Sequence, residues 1–157
     1  MFFFFDIGKV TALTLANYIL TRAKDQGRPV TNLKLQKILY YVQGHYLAEF
    51  DQPLFPDEIQ AWKFGPVVPS VYYEYSVYGP DEIIITGRES LEECDSEEME
   101  LIDSVIDSKL RYASSELVRA THSEEPWRKA TRGGTVIRPN TVIDTEDMKE
   151  YFKRIRG

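Results

Sequence analysis

Apolar residues return at steps of three and four through most of the chain, and each such stretch is closed by glycine, proline or a capping side chain. Leu13, Ala16, Ile19, Leu20 and Ala23 mark one face of a helix over residues 10–24, with Thr11 near its start as a cap and Asp25-Gln26-Gly27-Arg28-Pro29 as its stop. Thr31 and Asn32 then offer acceptors to the free amides of a second helix. The spacing of Leu35, Ile38, Leu39, Val42 and Tyr46 carries that helix to about Phe50 with one apolar side, until Asp51-Gln52-Pro53 ends it. Pro69 suits the first turn of a third helix, where its missing amide hydrogen costs nothing, and Val71, Tyr72, Tyr75 and Tyr78 follow on one face up to Gly79-Pro80. A fourth helix is threaded by Met99, Ile102, Val105, Ile106 and Leu110 and opened by Asp95 and Glu98 at capping-box spacing. Ser114-Ser115 marks a break or a fresh cap before residues 116–121. Ser123 with Pro126 opens another short turn, which carries Trp127. In the last helix, capped by Thr145, Met148, Tyr151, Phe152 and Ile155 form one stripe, with Lys149, Lys153, Arg154 and Arg156 outside it.

Strand signals are few and short. Residues 58–64 are β-compatible, and the EIIIT run at residues 82–86, just before Gly87, reads as a strand that could pair with residues 59–63. Gly133-Gly134 opens a flexible loop, after which a Pro-Asn turn lies between two β-compatible pieces within residues 135–142. The organising stretch is residues 33–69, where a helical pattern runs into Trp62, Phe64, Gly65, Pro66 and Pro69. Proline fixes its own φ and glycine admits angles other residues avoid, so Gly65-Pro66 is expected to be a sharp junction. The expected fold is mainly α: a compact single helical domain of about five to seven helices with a small β element. Residues 1–9 would form an N-terminal arm and residues 10–157 the helical core.

Composition narrows the class. A chain of 157 residues is long enough to bury one core without disulfides or metal, and its single cysteine, Cys94, excludes an intramolecular disulfide and fits a reducing cytoplasm. Glu92, Glu93 and Asp95 disfavour a Cys94 thiolate. Met1 to Phe5 is apolar, but Asp6 and Lys9 interrupt it and no apolar run reaches membrane-spanning length, so neither a signal peptide nor a membrane partner is expected. That Phe run can instead pack onto the core or join a second copy of the chain. Nine acidic residues and no basic one fall within residues 89–107, against a total of −6, so the acidity is local and the helix there should present a solvated acidic face.

No catalytic chemistry stands out. His45 and His122 are far apart in sequence and lack metal-ligand spacing, and no phosphate loop, nucleophile elbow or HExxH helix occurs. The sequence therefore points to a non-enzyme without cofactor or metal. Lys37, on a mainly apolar helix, suits a buried ion pair, a reach into a partner, or solvent opposite the core; Gln36 and Gln43 are equally open. Trp62 and Trp127 read as core residues. Tyr40, Tyr41, Tyr72, Tyr73, Tyr75 and Tyr78 are the partner-surface candidates, since two helices cannot bury every face of so many tyrosines. A helix, a Gly-Pro turn and another helix could also suggest DNA binding. The net charge of −6 and pI near 5.0 oppose it, leaving Arg128, Lys129, Arg132 and Arg138 as the one candidate footprint.

The stretch LKLQKILYYVQGHYL, then PLF, IQAWKFGPVVPSVY, YG and finally ELVRATHSEEPWRKA closely resembles the Panacea-domain antitoxins, the family that includes the SocA-type phage-associated proteins. Leu35, Gln36, Trp62, Gly65, Pro66, Thr121, His122, Pro126 and Trp127 carry the signature, and their joint spacing is more specific than any single motif. The resemblance implies a helical antitoxin that neutralises a cognate protein toxin by binding it, with His122 as a hydrogen-bonding residue that fixes the turn before Trp127. Its SocA branch implies a further role, as an adaptor delivering toxin to an energy-dependent AAA+ protease; a DNA-binding phage regulator is the other reading. The family pairs one domain type with several toxin classes, so the identity of the toxin does not follow.

Overall fold

The computed structural model describes residues 8–157; the expectations for the Phe run lie outside the described residues. Everything is arranged around α2 (Asn32–Phe50). Thr31, extended just before it, accepts a hydrogen bond from the Lys34 amide, and Asp51 closes it in the left-handed region at φ 59°. Fourteen of its 19 residues are buried, because α1 (Ala12–Asp25), α4 (Ser96–Leu110), α5 (Ser114–His122) and α7 (Thr145–Arg156) all pack against it. This corrects the one-sided helix read from the sequence: the face opposite Leu35, Ile38, Leu39 and Val42 is covered as well.

The caps of α1 and α4 follow the sequence. Thr11 accepts from the Thr14 amide, and Asp95 and Glu98 form a reciprocal capping box. The buried face of α1 includes Leu15, which the expected stripe omitted, while Leu13 is only half-buried. Part of the acidic face of α4 is used internally and not left to solvent. Glu98 is buried against Lys9 and Tyr46, Tyr18 donates to Asp103, and Arg22 makes a two-pronged contact with Asp107 at 3.0 and 2.6 Å.

The β element is a hairpin of β1 (Gln60–Trp62) and β2 (Gly65–Val67), antiparallel, with Ala61 opposite Pro66 and Trp62 opposite Gly65. Residues 82–86 are not a strand. Ile83 donates to Val30 O and Glu82 bridges Thr31, so the run caps the turn before α2 and does not pair with β1. The outer edge of β1 is already taken: the Ala61 amide donates to Thr141 O and the Ile143 amide to Ile59 O, each at 2.8 Å. Within residues 135–142, only Val142 makes a bridge, to Gln60.

α3 (Pro69–Glu74) begins with its proline in the first turn and passes into a 3₁₀ turn, Ser76–Tyr78. α6 (Glu125–Ala130) follows α5 directly, with Glu124 and not Ser123 at its N-cap; Asp144 and not Thr145 caps α7. Met148 and Phe152 of α7 are buried, whereas Ile155 lies past the core and is exposed. Among the described residues the structure is thus mainly helical, with seven α-helices and one small two-stranded element. None of these helices is long and apolar enough to cross a membrane.

Candidate protein-docking site

The hairpin is latched from beneath. Gly65 sits at φ +110°, and a β-carbon there would lie 2.7 Å from Thr121 Oγ1 and 2.8 Å from Lys37 Cε, so only glycine allows this approach of hairpin, α2 and α5. Lys37 is fully buried (0 % exposed) and donates to Pro66 O at 2.9 Å; among the described residues it has no carboxylate partner. Burial pushes its ammonium down to about 7. Gln36 receives the Val68 amide at 2.9 Å and donates to Asn32 at 2.8 Å, which fixes the chain as it leaves β2. From the other side, Trp127 Nε1 donates to Trp62 O and His122 Nε2 to Lys63 O, both at 2.9 Å. A carbonyl can only accept, so the proton of a neutral His122 is on Nε2. The imidazole lies against the Trp127 ring, 4.2 Å between centroids. Leu35, Thr121 and Pro126 are buried around the same contacts.

Above the latch the hairpin displays aromatic surface. Trp62, Tyr72 and Tyr73 form a shelf, with ring centroids 5.0 Å apart for Trp62 and Tyr72, 6.1 Å for Trp62 and Tyr73, and 5.6 Å for Tyr72 and Tyr73. Tyr73 is 64 % exposed, and Phe64, in the hairpin turn, 56 %. Trp62 is half-exposed, which corrects its reading as a core residue. Beside the shelf runs a groove of about 520 Å³, whose apolar walls include Leu33, Trp62, Phe64, Val67, Tyr72 and Pro80. Contiguous exposed aromatic surface of this kind marks interaction sites.

The family profile described as antitoxin SocA-like, Panacea domain, matches residues 35–128, a span that contains the latch, the hairpin, α5 and Trp127. The chain belongs to the SocA-like Panacea-domain antitoxin family. Antitoxin SocA of Caulobacter vibrioides (strain NA1000 / CB15N) is 33% identical over 160 residues, covering 94% of this chain and 85% of that protein. No solved structure matches the chain.

In this Panacea domain four of the residues expected at the partner surface are interior. Lys37 forms the latch. Tyr40 (0 % exposed) and Tyr41 (2 %) both donate to the Glu124 carboxylate, at 2.9 and 2.7 Å, and Tyr75 donates to Asn17. The cause is the encirclement of α2, which leaves Tyr40 and Tyr41 no solvent face. Of the expected set, Tyr73 is exposed and Tyr72 and Tyr78 reach the surface in part. Burial pushes the Glu124 carboxyl up, opposed by the two tyrosine hydroxyls and by Lys109, whose ammonium lies 4.1 Å from the centre of the Tyr41 ring. His45 packs on Phe152 and faces Arg156 at 3.1 Å; burial lowers it to about 4, so it is neutral at pH 7. The two histidines thus belong to separate contacts. Sequence reasoning passed over Phe64 and Lys63 as surface residues; their one cue was their place at the end of the β-compatible stretch 58–64, just before the Gly65-Pro66 junction.

Proposed function

We propose that this chain is an antitoxin, a single domain acting in the cytoplasm, that neutralises a cognate protein toxin by direct binding through the aromatic shelf and groove. The family and the 33% identical relative named as an antitoxin support the class of function. The observation that carries the choice of face is the pairing of exposed Phe64 and Tyr73 with a latch of buried Lys37, Gln36 and Trp127 and half-buried His122 that holds the hairpin backbone in place. Rigid aromatic contacts bind with little loss of side-chain freedom, which suits a protein that must hold one partner firmly. The test is co-expression with the product of the neighbouring open reading frame. That product is expected to be toxic alone, harmless with this chain, and retained with it through purification. Rescue without a complex would refute direct binding. Rescue that needs an intact AAA+ protease and lowers the toxin level would make the chain a delivery adaptor instead.

A further inference from the structure

The groove is apolar but not electrically neutral. Among the described residues, Lys63 is the one charged residue along its walls and forms no ion pair, and its ammonium lies 5.5 Å from the centre of the Phe64 ring. The opposite wall is built from helix starts: Thr31 and Asn32 at α2 and Ser114 at α5, with the Thr31 and Ser114 hydroxyls 3.2 Å apart. The first turn of α2 carries no acidic residue, and the acidic residue in the first turn of α5, Glu116, is turned back onto the Ala113 amide at 2.8 Å. Helix N-termini and a lysine around an apolar slot favour a negative charge at its mouth. The whole chain carries −6 and Asp81 and Glu82 follow the Pro80 wall, so Lys63 is a cation set in otherwise acidic surroundings.

Resting on the antitoxin reading, we infer that the groove between α2, the hairpin and α3 takes an apolar side chain of the toxin that is flanked by a carboxylate, which pairs with Lys63. The volume of about 520 Å³ lies within the range of built ligand pockets, roughly 300–1,000 Å³, and its mostly apolar walls suit an apolar anchor residue. A basic anchor would meet Lys63 and the helix ends as like charge. A neutral one would cover the lysine without pairing it.

The test is calorimetric titration of the purified chain with the purified neighbouring gene product, at low and high salt. Phe64→Ser is expected to weaken binding about tenfold or more. Lys63→Ala should weaken binding and flatten its salt dependence, Lys63→Glu should weaken it further at low salt and recover part of it at high salt, and reversing the flanking carboxylate of the partner to lysine should restore binding to Lys63→Glu. These side chains are exposed, so the variants should melt like the parent chain; Ile155→Ser, exposed on α7 away from the groove, is the control and should bind unchanged. Undiminished binding by Phe64→Ser and Lys63→Glu would overturn the inference while leaving the antitoxin reading in place, and tighter binding by Lys63→Glu would replace the acidic anchor with a basic one. A neighbouring product that binds neither the parent chain nor any variant would overturn both.

Discussion

Replacing Lys37 by methionine should stabilise the protein at neutral and acid pH and do so less, or not at all, in base. The lysine is fully buried with one acceptor, Pro66 O, and no counterion among the described residues. Lowering its ammonium from 10.5 to about 7 corresponds to about 5 kcal/mol of penalty for holding the charged form inside. Methionine removes that penalty but leaves Pro66 O without a donor, which costs about 1–3 kcal/mol. The net gain at about pH 6 is therefore about 2–4 kcal/mol. The sign of the pH dependence follows from proton counting. Below the folded value the group is protonated in both states and the penalty is constant; between about 7 and 10.5 the unfolded chain holds the extra proton, so the stability of the lysine protein rises with pH. At about pH 10 only about 1 kcal/mol of penalty remains, and the methionine variant should be equal to the parent or weaker. Urea unfolding of both proteins across that range measures the crossover. A methionine variant less stable than the parent at about pH 6, with a gap that does not change with pH, would refute the picture of a buried, unpaired ammonium.

Three further outcomes follow from the same contacts. Gly65→Val should destabilise by about 2–4 kcal/mol in thermal unfolding, from the strained φ and the overlap with Thr121 and Lys37, while Gly87→Ala, with nothing within 4 Å, should be close to neutral. Gly44→Ala places a methyl group in overlap with the edge of the Phe152 ring and should cost about 1–3 kcal/mol; Phe152→Leu in the same chain should recover part of it, and additive losses in the double-mutant cycle would exclude the contact. Burial alone would raise the Glu98 carboxyl, but the Asp95 amide, the Lys9 ammonium and the Tyr46 hydroxyl hold it below its ordinary 4.5. Its contribution is present above that value and lost as pH falls through the folded one, so Glu98→Gln should lose about 1–3 kcal/mol at neutral pH and converge with the parent in acid.

Helix existence was legible in the sequence because caps and periodicity are local. Thr11, Thr31 and the Asp95–Glu98 box sit where their spacing put them. The central position of α2 was not, since periodicity weighs one apolar face and cannot see that polar residues on the other are satisfied by distant backbone. Gln43, for instance, bonds the Leu54 amide and Phe55 O. Tyr40 and Tyr41 were misplaced for the same reason: their acceptor, Glu124, is more than eighty residues away. The EIIIT run had strand propensity but no edge to join, because residues 141–143 occupy the flank of β1. The motif residues around Gly65 could be recognised in sequence, yet not the reason for their spacing, which is that α2, the hairpin, α5 and α6 meet at one point.

Direct neutralisation through the shelf is tested most plainly by growth rescue and co-purification with the neighbouring gene product, using a Phe64→Ser, Tyr73→Ser double variant whose melting temperature matches the parent. The parent chain should rescue growth and hold the partner in a stable complex, and the double variant should lose both together. A double variant that still rescues and still forms the complex would place the contact elsewhere, and a parent chain that rescues with no complex at all would contradict neutralisation by binding.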